Sequence, residues 1–282
     1  MIKMIKLGVH VSIAKGLAGA VDQAHALGCD GFQIFVANPR GWARKPLADN
    51  EIELFKNKRK ALNLWPVVVH LAYLPNPATD DPELYQKSLL TLAEEFNRAN
   101  LLEADFFVFH PGKNKARQKG IERVINAVNL VLEKVPGSTL MLFENQAGAG
   151  GELAGSLETL RELIAGVGQA QRVGICFDTC HAFAAGYDLS RRQGWERTLE
   201  DLKRIIGIEK VKLFHLNDSL GALGSHSDRH QHIGAGNIGL AGFEYLVNHP
   251  ELNQIPGILE TPQKSRDDDL KNLAVLRGLV KS

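Results

Sequence analysis

Six short apolar runs in this sequence contain, at or next to their last position, a side chain that can bind a metal ion. The runs are PVVVH, DFFVFH, TLMLFE, RVGICFD, VKLFHL and PGILE, and the residues are His70, His110, Glu144, Asp178, His215 and Glu260. A buried histidine or a capping carboxylate would explain any one of them, but six equivalent positions indicate a shared site. This mixture of imidazoles and carboxylates suits zinc, or manganese or iron, better than magnesium or calcium, which prefer oxygen ligands.

Three further candidate ligands lie beyond the runs RVGICFD and VKLFHL. His181 stands three residues after Asp178 in FDTCHAF, and Asp228 and His230 stand two residues apart in SDRHQH. Residues i and i+2 of an extended chain share a face, so this pair can bind one ion while Arg229 points away. Nine candidates exceed the roughly four ligands that a zinc ion takes, so two or three ions are predicted.

Glu144 is the predicted bridge between ions, because it is the only carboxylate in its neighbourhood of the sequence. Ions joined in this way clamp the attacking and leaving oxygens of a phosphoryl group and generate hydroxide near neutral pH. No Gly-x-Ser-x-Gly arrangement is present, and metal-assisted hydrolysis needs no side-chain nucleophile. The residues therefore favour metal-assisted chemistry at a phosphoryl group.

Eight strands and the helices between them must position these residues. Two further runs, KLGVHV ending near His10 and GFQIFV ending near Val36, bring the number of predicted strands to eight. Helices are predicted over 83–100, about 121–135 and 156–166, with a weaker pattern over 50–64. Eight such units close a (β/α)8 TIM barrel, an α/β fold whose strand ends converge on one mouth. No Pro/Ser linker or charge run divides the chain, so a single domain over residues 1–282 is expected.

Composition is that of an ordinary globular protein and does not by itself indicate a nucleic-acid partner. The 33 Lys and Arg residues against 32 Asp and Glu residues give a formal net charge of +1, whereas DNA-binding domains usually have a basic excess. Three divalent ions would raise this charge to roughly +7. Without a long apolar run or a signal peptide, a cytoplasmic location and no membrane partner are expected. Cys29, Cys176 and Cys180 are interpreted as buried apolar side chains.

Several longer motifs resemble, in the same order, those of the endonuclease IV family of abasic-site (AP) endonucleases. They are HLAYL, FHPG, FENQAG, FDTCHAFAAGYD, FHLNDS, DRH followed by IGAGNIG, and ILETP. The similarity extends from GVHVS at residues 8–12 to ILETP at residues 258–262, and FDTCHAFAAGYD is highly specific. The resemblance implies a (β/α)8 barrel that holds three zinc ions, with manganese as an alternative at one site.

The resemblance also implies the ligands and the reaction. His70, His110 and Glu144 would hold the first zinc, Glu144, Asp178, His215 and Glu260 the second, and His181, Asp228 and His230 the third. A metal-bound hydroxide would then cut the phosphodiester on the 5′ side of an abasic site in duplex DNA, as in base excision repair. The products would be a 3′-hydroxyl and a 5′-deoxyribose phosphate. Trimming of blocked 3′ ends and a monomeric state are also expected, with Glu144 as the catalytic residue.

The loops after the second and third strands are the predicted DNA contacts. In the family these loops hold the abasic nucleotide out of the stack, and Arg40, Tyr73 and Leu74 occupy the matching places. Gly41 and Leu71 stand where some relatives carry Gln and Asp, so filling of the gap in the duplex is expected to differ. Ordinary loop anchoring by Tyr73 and Leu74 is the alternative that the sequence leaves open.

A metal-dependent sugar isomerase or epimerase on the same barrel is the alternative enzyme, since it also uses strand-end histidines and carboxylates. The set His181, Asp228 and His230, together with Arg40 and Tyr73, favours the nuclease because a small-sugar enzyme does not require them. A silent damage-binding protein would be expected to have lost ligands, and none is lost. The G-x-G-x-x-G match at 234–239 follows a polar loop rather than a first strand, so a tight turn is predicted there.

Overall fold

The computed structural model describes residues 4–265 and 267–281. Within them, eight parallel strands close into a barrel, and two short antiparallel strands form a separate ribbon. The strands are β1 (Leu7–His10), β2 (Gly31–Ile34), β3 (Val67–His70), β4 (Phe106–Phe109), β5 (Leu140–Glu144), β6 (Val173–Asp178), β7 (Val211–His215), β8 (Asp218–Ser219), β9 (His230–Gln231) and β10 (Gly257–Leu259). The expected (β/α)8 TIM barrel is confirmed.

Helices occupy the crossovers between the barrel strands, as parallel neighbours require, and one further helix follows β10. They are α1 (Leu17–Ala26), α2 (Asp49–Ala61), α3 (Pro82–Leu101), α4 (Arg117–Lys134), α5 (Leu157–Ala165), α6 (Thr179–Ala185), α7 (Arg192–Asp201), α8 (Gly239–Asn248) and α9 (Asp268–Gly278). The predicted helices 83–100, 121–135 and 156–166 fall on α3, α4 and α5, and the 50–64 pattern on α2. None of the described helices is long and apolar enough to span a bilayer.

The helix ends follow from local capping chemistry. The Asp81 carboxylate accepts the N–H groups of residues 83 and 84, and Pro82 takes the first helical position of α3. The Ser156 hydroxyl accepts the N–H of Thr159 at the start of α5. The pattern of α2 is weak because Ile52 and Phe55 are the buried residues of that helix.

The order of the barrel follows the chain. Strands β1 to β7 are neighbours in sequence order, and β10 closes the ring between β7 and β1. The β8–β9 ribbon lies in the long connection between β7 and β10 and pairs Asp218 with Gln231 and Ser219 with His230. The ribbon in this connection therefore places His230 back at the barrel, although His230 does not belong to a barrel strand.

Alternate residues of the strands fill the barrel interior. One buried cluster includes Val68, Val108, Leu142, Cys176, Leu213 and Ile258. Since side chains alternate between the two faces of a strand, the residue two positions beyond each of these also points inward, at the carboxyl end. On β1 and β2 the equivalent inner positions are glycines, and a Cβ on Gly8 would lie 2.2 Å from the carbonyl oxygen of Gly31. Close packing of the first two strands thus requires Gly8.

Several strand ends differ from the predicted runs by one or two residues. Strand β2 ends at Ile34 rather than near Val36, because Ile34 opposite Val69 is its last pair with β3. Strand β7 ends on His215 itself, whereas His110 and Glu260 lie one residue beyond β4 and β10. His110 and Glu260 are therefore positioned by the loops that follow their strands as well as by the sheet.

The three cysteines are buried and unbonded in the described fold, as the sequence predicted. Burial raises the pKa of each thiol to about 12. They therefore pack as small apolar side chains.

Candidate metal centre

A ring of eight polar side chains lines the carboxyl-terminal mouth of the barrel, one from each barrel strand or the residue that follows it. The ring consists of His10, Gln33, His70, His110, Glu144, Asp178, His215 and Glu260. Six of these positions were indicated by the sequence, and all six lie together. Gln33 was missed, although it is the one polar residue of GFQIFV and stands two positions after Gly31.

The first group joins β3, β4 and β5. The Nε2 atoms of His70 and His110 lie 3.1 and 3.0 Å from the same oxygen of Glu144, Oε2. One atom from each of these three residues lies within 4.8 Å of the others, which suits a shared ion. Glu144 is fully buried, so its charge needs compensation.

The second group uses the other oxygen of Glu144. The Nδ1 atom of His215 lies 2.9 Å from Glu144 Oε1 and 3.2 Å from Glu260 Oε2. Asp178 completes a set of four whose ligand atoms again lie within 4.8 Å of one another. The two oxygens of Glu144 thus face two different groups.

The third group lies beside the ring. His181, in the first turn of α6, places Nε2 3.1 Å from Asp228 Oδ1, and His230 on β9 places Nε2 3.4 Å from the same oxygen. Ligand atoms within 4.8 Å of one another are offered by Asp178, His181 and His230, and likewise by Cys180, Asp228 and His230. The three residues predicted from sequence are together, with Asp178 and Cys180 as close neighbours.

The histidines are oriented as metal ligands are. His70 Nδ1 donates to the carbonyl of Leu71 at 2.7 Å, and His181 Nδ1 donates to that of Asn145 at 2.9 Å. Their Nε2 atoms face carboxylate oxygens, and only a proton or a metal cation can join two such acceptors. The buried Nε2 of His230 has no hydrogen-bond partner among the described residues. These residues fit bound cations.

The histidines of the centre stabilise the negative charges of its carboxylates. Burial opposes ionisation of Glu144, but His110 and His215 hold its pKa well below the usual range. Burial also opposes the charge of Asp228, yet its hydrogen bond with His181 lowers the pKa to about 2. Both carboxylates are therefore in the deprotonated, metal-binding form throughout the neutral range.

Amide side chains hold the carboxylates in place. Gln33 donates from Nε2 to Glu260 Oε1 at 2.6 Å. Asn217 donates to Asp178 Oδ2 at 2.7 Å, and its own oxygen accepts the N–H of Glu260 at 2.8 Å. The Asn145 oxygen accepts the N–H of Asp178 at 2.6 Å. These amides were not predicted from the sequence, although Asn145 directly follows Glu144 and Asn217 lies two residues after His215.

A cavity of about 1400 Å³ opens from this centre toward the loops after β1 and β2. Arg40 and Tyr73 line it together with His110 and Asp228. Tyr73 is 64 % exposed, whereas Leu74 is half-buried and is not part of the described cavity wall. Two of the three predicted DNA contacts therefore face the space in front of the centre.

Leu71 and Gly41, the two positions at which this sequence departs from some relatives, lie in different surroundings. Leu71 is 3 % exposed and belongs to the core, so it does not face the cavity. Gly41 lies in the loop after β2, half-buried, where an added Cβ would meet the side chain of Asn38 at 3.4 Å. The role of these two positions toward DNA stays a prediction.

The chain is similar to known proteins over nearly its whole length. The family described as a xylose isomerase-like TIM barrel matches residues 21–279. A probable endonuclease 4 of Halothermothrix orenii is 47 % identical over 276 residues, which cover 97 % of this chain and 99 % of that protein. The crystal structure of endonuclease IV from Thermus thermophilus has a TM-score of 0.88 at 38 % identity, covering 97 % of this chain and 98 % of that one.

More distant structures share the barrel alone. A D-tagatose 3-epimerase-like protein is 20 % identical, with a TM-score of 0.72 over 98 % of this chain and 97 % of that one. Such a likeness reports fold and not activity. The full-length relatives at higher identity decide the family: this chain belongs to the endonuclease IV family of AP endonucleases.

Proposed function

We propose that this protein hydrolyses the phosphodiester on the 5′ side of an abasic site in duplex DNA, during base excision repair. The products are a 3′-hydroxyl and a 5′-deoxyribose phosphate. The proposal rests on the way the two carboxylate oxygens of Glu144 are used: Oε2 faces His70 and His110, while Oε1 faces His215. One buried carboxylate shared by two ligand groups can hold two metal ions close together, as two-metal phosphodiester hydrolysis needs.

The three ligand groups would hold three zinc ions, with manganese as an alternative at one of them. His70, His110 and Glu144 form the first set, Glu144, Asp178, His215 and Glu260 the second, and His181, Asp228 and His230 the third. Bound ions of this kind activate water near neutral pH and offset negative charge that develops on the phosphoryl oxygens. The donor set of nitrogens and carboxylate oxygens supports zinc over magnesium.

The residues of the chain have their own tasks. Glu144, excluded from solvent, keeps its negative charge and fixes the spacing of the first two groups. Arg40 is exposed at the cavity wall, where its guanidinium can pair with a DNA phosphate. Tyr73 would enter the duplex near the lesion and keep the abasic nucleotide out of the stack. Leu74 lies outside the described cavity wall, and its insertion beside Tyr73 stays a prediction. A single domain acting as a monomer in the cytoplasm, and trimming of blocked 3′ ends, stay predictions.

The sugar isomerase or epimerase is the weaker candidate. The first two groups would serve either enzyme, since both place strand-end ligands at the barrel mouth. The third group favours the nuclease, because His181, Asp228 and His230 add metal-binding capacity beside the ring rather than a pocket for a sugar. The wide cavity in front of the ring also suits a polymer.

The test combines elemental analysis of the purified protein with a nicking assay. Two duplexes of the same sequence are used, one with a single abasic site and one intact. We expect about three zinc ions per chain and a cut on the 5′ side of the lesion that a chelator abolishes. A protein without bound metal that leaves the abasic duplex uncut would overturn the proposal.

A further inference from the structure

Two loops carry the candidate DNA contacts, and the structure ties them together. The β2 loop, residues 35–48, carries Arg40, and the β3 loop, residues 71–81, carries Tyr73. The N–H of Tyr73 donates to the carbonyl of Pro39 at 3.1 Å. The two loops are therefore in direct contact at the residues that face the cavity.

A buried ion pair lies beneath this contact. Arg44 of the β2 loop places Nη2 2.5 Å from Oε1 of Glu95 on α3, and the two side chains are 2 % and 1 % exposed. The Glu95 Oε2 atom accepts the N–H of Ala72 in the β3 loop at 3.1 Å. Arg44 Nη1 donates to the carbonyl of Gly41, next to Arg40. One carboxylate thus connects both loops to one helix.

A second arginine, on α3, binds the β2 loop at two places. Arg98 donates from Nη1 to the carbonyl of Val36 at 3.2 Å and from Nη2 to that of Lys45 at 2.7 Å. Its side chain is 7 % exposed and also pairs with Glu94 one turn earlier. Arg44 Nη1 also donates to the carbonyl of Ala43 at 3.4 Å. Five backbone groups of the two loops therefore bind three charged side chains, Arg44, Glu95 and Arg98.

Stability alone does not explain why these groups are charged. Desolvation of an ion pair offsets most of its attraction, and an apolar pair of similar volume is often as stable. Burial raises the pKa of Glu95 against the opposing attraction of Arg44, which reflects this cost. A charged fork differs from an apolar pair in its direction, because it binds particular backbone atoms at fixed geometry.

We infer that the Arg44–Glu95 pair positions the β2 and β3 loops for recognition of the abasic site. The pair fixes Arg40 relative to Tyr73, and both relative to the metal centre, so that the preference for an abasic over an intact duplex depends on it. Glu95 and Arg44 are positioning residues and touch neither DNA nor metal. This inference rests on the proposed function, in which the two loops face DNA.

The test uses a double variant that removes the charges but retains the packing, Arg44→Met with Glu95→Leu. We expect a free energy of unfolding and a zinc content close to those of the wild type, because an apolar pair replaces the ion pair. Binding to an abasic duplex is expected to weaken by about 10- to 100-fold, since small displacements of positioning groups have effects of this size. Binding to the intact duplex should change little, so that discrimination between the two falls. Amide hydrogen exchange at Ala72 and Tyr73 should accelerate.

The matched control is the pair Arg59 and Asp105 at the other end of the barrel. Arg59 Nη1 lies 3.4 Å from Asp105 Oδ2, and that oxygen also accepts the N–H of Val67, as Glu95 accepts that of Ala72. The variant Arg59→Met with Asp105→Leu should leave discrimination unchanged. An effect on discrimination as large as that of the Arg44 and Glu95 variant would mean that stability, not position, is responsible.

The outcomes separate this inference from the function on which it rests. A wild-type protein that neither cuts nor prefers the abasic duplex contradicts the proposed function. A wild-type protein with that preference, and a folded double variant that retains it, overturn the role of the pair. Where the double variant does not fold, Glu95→Gln, which keeps the shape without the charge, is judged by the same loss of discrimination.

Discussion

The side-chain oxygen of Gln33 accepts a hydrogen bond from Nε2 of His215 at 2.9 Å. Because this nitrogen carries the proton, Nδ1 of His215 is left to face Glu144 and Glu260. A hydrogen bond on the distal nitrogen fixes the tautomer and the ring orientation of a histidine ligand. The amide nitrogen of Gln33 at the same time donates to Glu260, so one side chain orients two ligands.

Replacing Gln33 is therefore expected to weaken metal binding. Gln33→Met keeps the length of the side chain and removes its hydrogen bonds, and we expect affinity for zinc to fall about 10- to 100-fold. Competition with a chromogenic chelator measures this affinity independently of activity. The control is Gln23→Met on α1, where the side chain is exposed. Equal zinc affinity in the two variants would contradict a role of Gln33 in metal binding.

Glu144→Gln is expected to abolish nicking while the barrel stays folded. The change removes a charge that faces two ligand groups, and several kcal/mol of lost electrostatic stabilisation correspond to about 1000-fold or more in rate. Zinc content should fall at the same time. Glu133→Gln, at an exposed position of α4, is the control. Near-normal turnover of the Glu144 variant would contradict the bridging role.

Tyr73→Ala tests the DNA-facing loop. The ring is 64 % exposed and meets Phe35 edge-on at 5.1 Å between centroids, so little stability depends on it. Stacking of a base on an aromatic ring contributes about 1–3 kcal/mol, and we expect KM for the abasic duplex to rise about tenfold or more. Zinc content should not change. Leu90→Ala, at a 60 % exposed position of α3, is the matched surface control, and an equal KM in both variants would assign Tyr73 to loop anchoring.

The cysteines are expected to be inert in the native protein. Burial raises the pKa of Cys29, Cys176 and Cys180 to about 12, so about one thiol in ten thousand is ionised at pH 8. Reaction with a disulfide reagent should be slow at pH 8 in the native protein, accelerate as the pH rises, and become fast at pH 8 in guanidinium chloride, where the exposed thiols regain an ordinary pKa. Rapid labelling of the native protein at pH 8 would contradict the burial of these thiols.

Much of the fold and of the centre could be predicted from local patterns. The strand runs carry β-branched and aromatic residues, and helical spacing between them predicts the crossovers, so the barrel follows from periodicity. The ligands of the ring were visible because each is two residues beyond an inward apolar residue such as Val68 or Leu142. A single histidine or carboxylate at that place can be structural, but six at equivalent places indicate a shared site.

Other features depend on pairs of residues that only the folded chain brings together. Gln33 was missed because an amide is not a metal ligand, and its partners His215 and Glu260 lie 182 and 227 residues away in the chain. Nothing local indicates that Arg44 meets Glu95, since each is an ordinary charged residue of a loop or a helix. The sequence by itself determined the barrel and the chemistry available at its mouth. Tertiary structure decided how Glu144 is shared and how the loops are held, because hydrogen bonds and ion pairs depend on distances that chain order does not specify.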